Sequence, residues 1–584
     1  MRSEAWSVGP GAVAPGRVRL GVAFALGLAI MAAPGAAAQV VTTDSTAPTV
    51  FRDVRVFDGD RVLPLVTVVI EGDRITRVVD GGGPVDVGAA ANEVDGTGRT
   101  LVPGFIDAHT HTFSRAYAKI AAGFGVTTHL DMFTAVDVMR TLRDERESGG
   151  ARDRADVYSA GTLVTAPGGH GTQYGMPIPT LDRAEAASEF VDARIAEGSD
   201  YIKVIVEDGS AFGMTVPALD AARVRAVVDA AHARGKLVVA HIGDAEAARL
   251  ALDAGVDGLV HIFADRAPEA DFGRLAAERG VFVAPTLTVI EGTAGGEGGP
   301  AVVGDPRLNR FLTPSGLRNL ETVFPTLPGN TESMEHALAA VRSLHQAGVP
   351  LLAGSDAPNP GTYVGVSVHR EMELLVRAGL TPVEALRAAT SAPADAFGLT
   401  DRGRIREGLR ADLVLVDGDP TVDVLDTREL VGVWKEGRRW KMELGLIDVV
   451  GHRAEQGLPV GPPGAVPPDD ILGDFEDDYG NRFTVTAGAW RLNDSARYAV
   501  MRWDADGGFV IAHNGPDNPG DAGLWSRFDW VLLEGMEPWT WALCTSAYDA
   551  PTPEAAIAAA IANRAELRTG CNGFPFSRMR RVGG

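Results

Sequence analysis

From residue 49 to 80 the apolar positions fall in short β-branched runs broken by turn signals: Val50 to Val56, Asp58 to Asp60, Val66 to Glu71, Gly72-Asp73 and Ile75 to Val79. That pattern predicts a small sheet. A matching set recurs at Ala411 to Val416, Gly418 to Pro420 and Val431 to Trp440, and two β segments flanking a long middle predict one discontinuous β domain whose two parts close on each other. In the middle, strand-like runs alternate with segments apolar at three- and four-residue spacing, which predicts repeated βα units and a parallel sheet. Strands are expected near Val102 to His109, Val126 to Met132, Val157 to Ala160, Tyr201 to Val206, Leu237 to His241, Gly258 to Phe263, Val281 to Thr286 and Val349 to Asp356. Eight is the count of a closed barrel. Helices are expected over Val216 to Arg234, Ala245 to Asp253, Ser333 to Gln346 and Val366 to Ala378, and Thr381-Pro382 with Glu384 reads as a further helix start. The glycine-rich stretch from Val289 to Thr331 is too long for an ordinary connection and predicts a lid.

The expected fold is therefore α/β: a (β/α)8 TIM barrel over 101–395, a discontinuous small β-sandwich domain over 39–100 and 396–450, and an additional C-terminal all-β domain over 471–584. Gly457 to Pro468 reads as a stiff proline-rich spacer inside a 451–470 linker. The tail alternates short strands with turns and holds Trp490, Trp503, Trp525, Trp530, Trp539 and Trp541. These form either the core of a small sandwich, the commoner fate of tryptophan, or a platform for a carbohydrate or peptide. A polymer or surface ligand is the candidate partner of this tail, and a second copy of the chain is a candidate partner of the protein.

Residues 1–38 read as an address. Arg2, Arg17 and Arg19 precede the apolar run Leu20 to Ala33, too short to span a bilayer, and Ala36 to Ala38 offer a small-residue cleavage site. A secretory signal is expected, with an uncleaved amphiphilic anchor as the alternative, and hence a periplasmic or secreted protein. Cys544 and Cys571, the two cysteines of the chain, then read as a disulfide. The 584 residues carry 54 Lys+Arg against 77 Asp+Glu, a net charge of −23, which repels nucleic acid and anionic membrane surfaces. With 45% hydrophobic residues the chain has ample core for an enzyme. No apolar stretch downstream of the leader predicts a membrane span.

The strongest local signal is Gly104-Phe-Ile-Asp-Ala-His-Thr-His111. Residues two apart on a strand share a face, so His109 and His111 project together from one strand end, and two neutral imidazoles there can grip one metal. Such a pair alone is more often incidental than a site. Here His241 ends the fifth expected strand, His261 follows the sixth and Asp356 ends the eighth, so the set converges at the top of one barrel. Lys203 lies in Tyr201 to Val206 on the fourth. It either points inward, where burial demands a partner or a modification, or lets its stem snorkel outward between helices. Thr165-Ala-Pro-Gly-Gly-His170-Gly-Thr-Gln-Tyr174 follows the third strand, either as a substrate-contacting loop, with His170 and Tyr174 as its ligand-facing residues, or as a flexible surface loop. His369 is either a pocket residue or an ordinary helix histidine. His129, His232, His336, His345, His452 and His513 show no comparable setting.

These motifs, with the closing Gly408 to Val416 segment, resemble the metal-dependent amidohydrolase superfamily over residues 49–440, above all its imidazolonepropionase-like and prolidase-like branch. The resemblance implies two divalent ions of zinc type. His109, His111 and Asp356 would hold the first and His241 and His261 the second, with Lys203, as N6-carboxylysine, bridging both. It implies Asp356 and His261 as catalytic residues and a small-molecule amide as substrate. The sequence departs from the prolidase-like pattern in one place: an aromatic residue is common two positions after the fifth-strand histidine, where this chain has Gly243. Imidazolonepropionases proper are mononuclear and intracellular, so Lys203 and the leader argue against that reaction. The expected activity is cleavage of a peptide-like or N-acyl amino acid C–N bond by an exported hydrolase. The alternatives are a lactonase or phosphotriesterase on the same metals, and a non-catalytic binding protein on the same scaffold.

Overall fold

The computed structural model describes residues 47–440 and 469–582, apart from 84, 88–90, 175–176, 211–214, 297, 310, 323–330, 487–488, 494–495, 505–506, 516–517, 519–523, 534, 551–552 and 559–561. The expected leader (1–38) and the spacer Gly457 to Pro468 lie outside the described residues.

Residues 49–103 and 413–439 build one eight-stranded sheet. Thr49–Phe57 pairs antiparallel with Val62–Glu71 and runs parallel to Arg99–Pro103, which in turn pairs antiparallel with Leu413–Asp417. Alternation along Leu413–Asp417 explains how this sheet attaches: Leu413 and Leu415 enter the sheet's own core with Phe51, Val54 and Trp434, whereas Val414 and Val416 enter the barrel core with Phe105 and Val126. The strand is buried on both faces and accordingly reads as an unbroken apolar run.

The barrel consists of a parallel set Phe105–Thr110, Val126–Asp131 and Asp156–Ser159, and a second parallel set Ile202–Ile205, Val238–His241, Gly258–Val260 and Phe282–Ala284. Single parallel bridges join them into a ring: Val164 with Val204, Val283 with Leu351, and Thr110 with Ala357. Two strand expectations are corrected. The run Val102 to His109 is two strands divided at Gly104, whose amide donates to Asp412 (2.7 Å) and where a Cβ would fall 2.3 Å from Thr127 Oγ1. The eighth strand, Val349 to Asp356, is not regular. It follows the ring through Leu352 N to Val283 O and Asp356 N to His109 O (2.9 and 2.7 Å), because Gly354 lies flat on His109, with room for no Cβ.

Helices Ala245–Ala254, Thr331–Gln346 and Val366–Ala378 cover the barrel as expected, and Pro382–Ala388 opens with a Thr381/Glu384 capping box. The helix expected from Val216 starts only at Ala221, where Asp220 caps the Arg223 amide. The expected lid is largely helical: Leu287–Thr293, Gly298–Gly304, Pro306–Asn309 and Pro314–Glu321. Gly296, Gly298, Gly299 and Gly316 serve packing. A Cβ on Gly299 would lie 1.9 Å from Leu320 O, and Glu291 pairs with Arg370 at 2.6 Å.

The tail domain is a closed antiparallel barrel of eight strands rather than a sandwich, completed where Gly473–Asp477 pairs with Ser577–Arg581. Trp490, Trp503, Trp525, Trp530 and Trp541 are buried in it, Trp490 stacking on Phe528 at 4.8 Å. Trp539 is half-buried beneath Arg578. Tryptophan is thus core here, as the rings needed to fill a barrel of this size require. Cys544 and Cys571 form a disulfide. Among the described residues no helix is long and apolar enough to cross a membrane.

Candidate metal centre

The ligand-type side chains meet where barrel strands end. His109 is the fifth residue of Phe105–Thr110 and His111 follows that strand. His241 ends Val238–His241, and His261 follows Gly258–Val260. The chain turns sharply to present them: His261, Thr286 and Asp356 adopt φ of 71°, 51° and 54°, left-handed conformations that cost non-glycine residues about 1 to 3 kcal/mol each and cluster at functional sites. Asp356 Oδ1 stands 3.2 Å from His109 Nε2 and 3.0 Å from His111 Nε2, and Oδ2 is 4.0 Å from His261 Nδ1. His261 Nε2 faces His241 Nδ1 at 3.1 Å, and Lys203 Nζ lies 3.5 Å from His109 Nε2. Lys203 therefore points inward.

The rings are oriented from behind. His111 Nδ1 contacts the Phe133 carbonyl (3.0 Å), which only accepts, so its proton sits there and Nε2 offers a lone pair toward Asp356. His261 Nδ1 contacts Thr286 Oγ1 at 2.7 Å. Burial shapes the charges. It pushes the His109 imidazole down to about 3 and His241 to about 4, so both are neutral ligands near pH 7. Burial alone would raise the Asp356 carboxyl, but His109 and His261 beside it hold it well below the usual carboxylate range. Burial lowers the Lys203 amine to about 8.

His170 meets this cluster on its outer side. Its Nδ1 stands 2.6 Å from Glu207 Oε1, which is also 3.2 Å from His241 Nε2. Tyr174 ends the short 3-10 turn Thr172–Tyr174, and its side chain lies outside the described residues. His369 faces elsewhere, contacting Phe124 O and Thr427 Oγ1. Two acidic residues escaped the sequence reading. Glu207 lies four residues after Lys203, on the same face of an alternating strand, a signal that was available. Asp131, raised to about 6 by burial, accepts from the Thr112 amide and the Ser159 hydroxyl. Its neighbour His129, set aside in the sequence, is fully buried against Thr112.

The donor set fits divalent cations. Ligand atoms of His109, His261 and Asp356 lie within 4.8 Å of one another, as do those of His170, Glu207 and His241. Asp356 Oδ1 and both Glu207 oxygens are buried without a hydrogen-bond donor, a costly state unless a positive charge completes it. Neutral imidazoles and carboxylates at strand ends of a barrel are zinc-type ligands.

The known proteins agree. The Amidohydrolase family profile matches residues 100–439, and the chain belongs to that family of metal-dependent hydrolases acting on carbon–nitrogen bonds. It is 30% identical over 392 residues to an imidazolonepropionase of Streptomyces griseus, covering 64% of this chain and 91% of that one. With ochratoxinase of Aspergillus niger it shares 25% identity over 323 residues, 49% of this chain and 60% of the relative. A crystal structure of a Xaa-Pro dipeptidase superposes with a TM-score of 0.54 at 24% identity, over 68% of this chain and all of the other, which speaks to the fold.

Proposed function

We propose that the protein is an exported hydrolase that cleaves the amide C–N bond of a peptide-like or N-acyl amino acid substrate. The observation that carries this reading is Asp356, a buried carboxylate between His109 and His111 with one oxygen lacking a donor. When bound, divalent cations of zinc type polarise the scissile carbonyl and bring the pKa of water to about 7. Asp356, held ionised, takes the proton of the attacking water and carries it to the departing amide nitrogen. His261, fixed by Thr286, keeps Asp356 and His241 in register. No serine or cysteine nucleophile is required. The loop carrying His170 and Tyr174 supplies the substrate-facing wall.

A second ion bridged to the first by N6-carboxylysine at Lys203 is what the family resemblance adds. In that scheme the neutral form of the Lys203 amine would add to carbon dioxide with loss of one proton. The leader-like pattern of residues 1–38 and the cysteine pair are what support reading the protein as exported to the periplasm or beyond. The names of the relatives cover different substrates, and Gly243 in place of an aromatic residue counts against a prolidase-type pocket. A lactone or phosphotriester substrate would use the same groups.

The test is metal analysis of the full chain together with turnover on dipeptides, N-acyl amino acids, esters, lactones and phosphotriesters, before and after chelation. Metal-dependent release of an amine from at least one amide is expected. A metal-replete protein that opens lactones or phosphotriesters and leaves every amide intact would overturn the amide reading, and one that turns over nothing would favour a binding protein.

A further inference from the structure

Glu207 is 1% exposed and follows the strand that carries Lys203, and among the described residues its ion-pair partners are histidines. Its neighbours are two imidazole nitrogens, His170 Nδ1 at 2.6 Å and His241 Nε2 at 3.2 Å, yet neither approach has the alignment of a hydrogen bond and both carboxylate oxygens are left without a donor. The same off-axis closeness relates Asp356 to His109 and His111, whereas the contacts behind the rings, His111 with Phe133 O and His261 with Thr286, are aligned hydrogen bonds. Co-ligands of one cation approach each other in the first way, because their lone pairs aim at a common point rather than at each other.

The backbone leaves room for this carboxylate. A Cβ at Gly243 would lie 2.5 Å from Glu207 Oε2 and 3.3 Å from its Cβ, so a larger residue there pushes the Glu207 carboxylate from this position. That is the position at which this chain departs from the aromatic residue of the prolidase-like pattern. On the other side Gly169, where a Cβ would fall 2.5 Å from Pro217 O, lets the loop settle deep enough for His170 to reach the carboxylate.

We propose that His170, Glu207 and His241 form the seat of the second divalent cation, with Glu207 rather than a carboxylated Lys203 as its carboxylate. A neutral imidazole has one N–H and one lone pair, so His241 can donate from Nδ1 to His261 Nε2 while its Nε2 lone pair turns to a cation shared with Glu207. The unpartnered carboxylate and the glycine that shelters it favour that arrangement. The proposal rests on the metal-hydrolase reading above but assigns different side chains to the second ion, and it makes His170 a ligand as well as a wall of the pocket.

The experiment is zinc binding to chelator-stripped full-length protein by equilibrium dialysis and elemental analysis, for the parent, Glu207→Ala, Glu207→Gln, Lys203→Ala and Gly243→Ala, with circular dichroism to verify folding. The expected result is two ions in the parent, two in Lys203→Ala and one in Glu207→Ala, with the second ion bound at least tenfold more weakly in Glu207→Gln. Gly243→Ala should weaken that ion in the parent and change nothing in a Glu207→Ala background, since both act on one carboxylate. Two ions in Glu207→Ala, one in Lys203→Ala, or a single ion in the parent each overturn the proposal. A parent that binds none would instead sink the metal-hydrolase reading. Should Glu207→Ala not fold, Glu207→Gln and Gly243→Ala decide.

Discussion

At the scale of the residue, Asp356 is asked to do two things, and they can be separated. As a ligand it influences occupancy. As a proton carrier it influences rate far more, because an amide nitrogen leaves poorly unless protonated. Asp356→Asn keeps the size and one coordinating oxygen but cannot accept a proton at neutral pH. The metal-loaded variant should lose about 10² to 10⁴ in kcat on an amide, the usual worth of a positioned acid-base group, and less on an ester with a better leaving group. Parental kcat on the amide would show that the proton travels through another side chain. His369 gives a prediction about stability. Burial pushes it from 6.5 to about 4, so the folded state resists a proton that the unfolded chain accepts. Its contribution is present above pH 6.5 and is lost as pH falls toward 4. Glu371, raised to about 7 by burial, acts in the opposite sense: its contribution is present below the ordinary carboxylate pKa and is lost as pH rises through 7. It is common to both proteins of the comparison, so it cancels. Denaturant unfolding of the parent and His369→Gln between pH 7.5 and 4 should show a shallower acid loss in the variant, by on the order of 3 kcal/mol at pH 4. Parallel curves would exclude His369 as the acid-sensitive group.

At the scale of the element, what could be read from the sequence was whatever follows a period. The alternating runs placed seven of the barrel strands, and because ligands sit at strand ends, the same runs located His109, His241 and His261. The capping box at Thr381 was legible for a similar reason: two short-range hydrogen bonds fix its spacing. The failures lie where tertiary contact overrides period. Gly104 divides one apolar run into two strands because the chain must pass Thr127 closely, and Gly354 flattens the eighth strand on His109. The glycines from 292 to 316 looked like freedom, yet Gly299 packs on Leu320 and Gly316 on Tyr363, while Gly296 and Gly298 close on Glu291. Glu207 keeps the alternation of Lys203, but a carboxylate after an apolar strand is ordinarily a solvated end, and it is the meeting with His170 and His241 that gives it chemistry.

At the scale of the whole molecule, the barrel and the sheet that flanks it in sequence are joined by charge as well as by Val414 and Val416. Asp156 opens the third barrel strand, on the face opposite the ligands, where barrel residues serve stability. It receives Arg402 at 2.6 Å, Arg410 at 2.7 Å and Lys435 at 3.2 Å, the last from the sheet strand Leu430–Lys435. Burial alone would raise its carboxyl, but Lys435, Arg402 and Arg410 together hold it well below the ordinary range. Lys435 and Arg402 are themselves buried, so Asp156→Asn strands cations that cannot reach water. Breaking a buried pair by removing one partner costs about 3 to 5 kcal/mol. Here the loss should fall near the lower end, because Asp412 remains 3.3 Å from Lys435. Urea unfolding should show that loss in Asp156→Asn, while metal content and kcat of the folded fraction stay at the parental level, since none of these groups touches the ligand cluster. An unmoved midpoint would mean that apolar packing along Leu413–Asp417 holds the two parts together unaided.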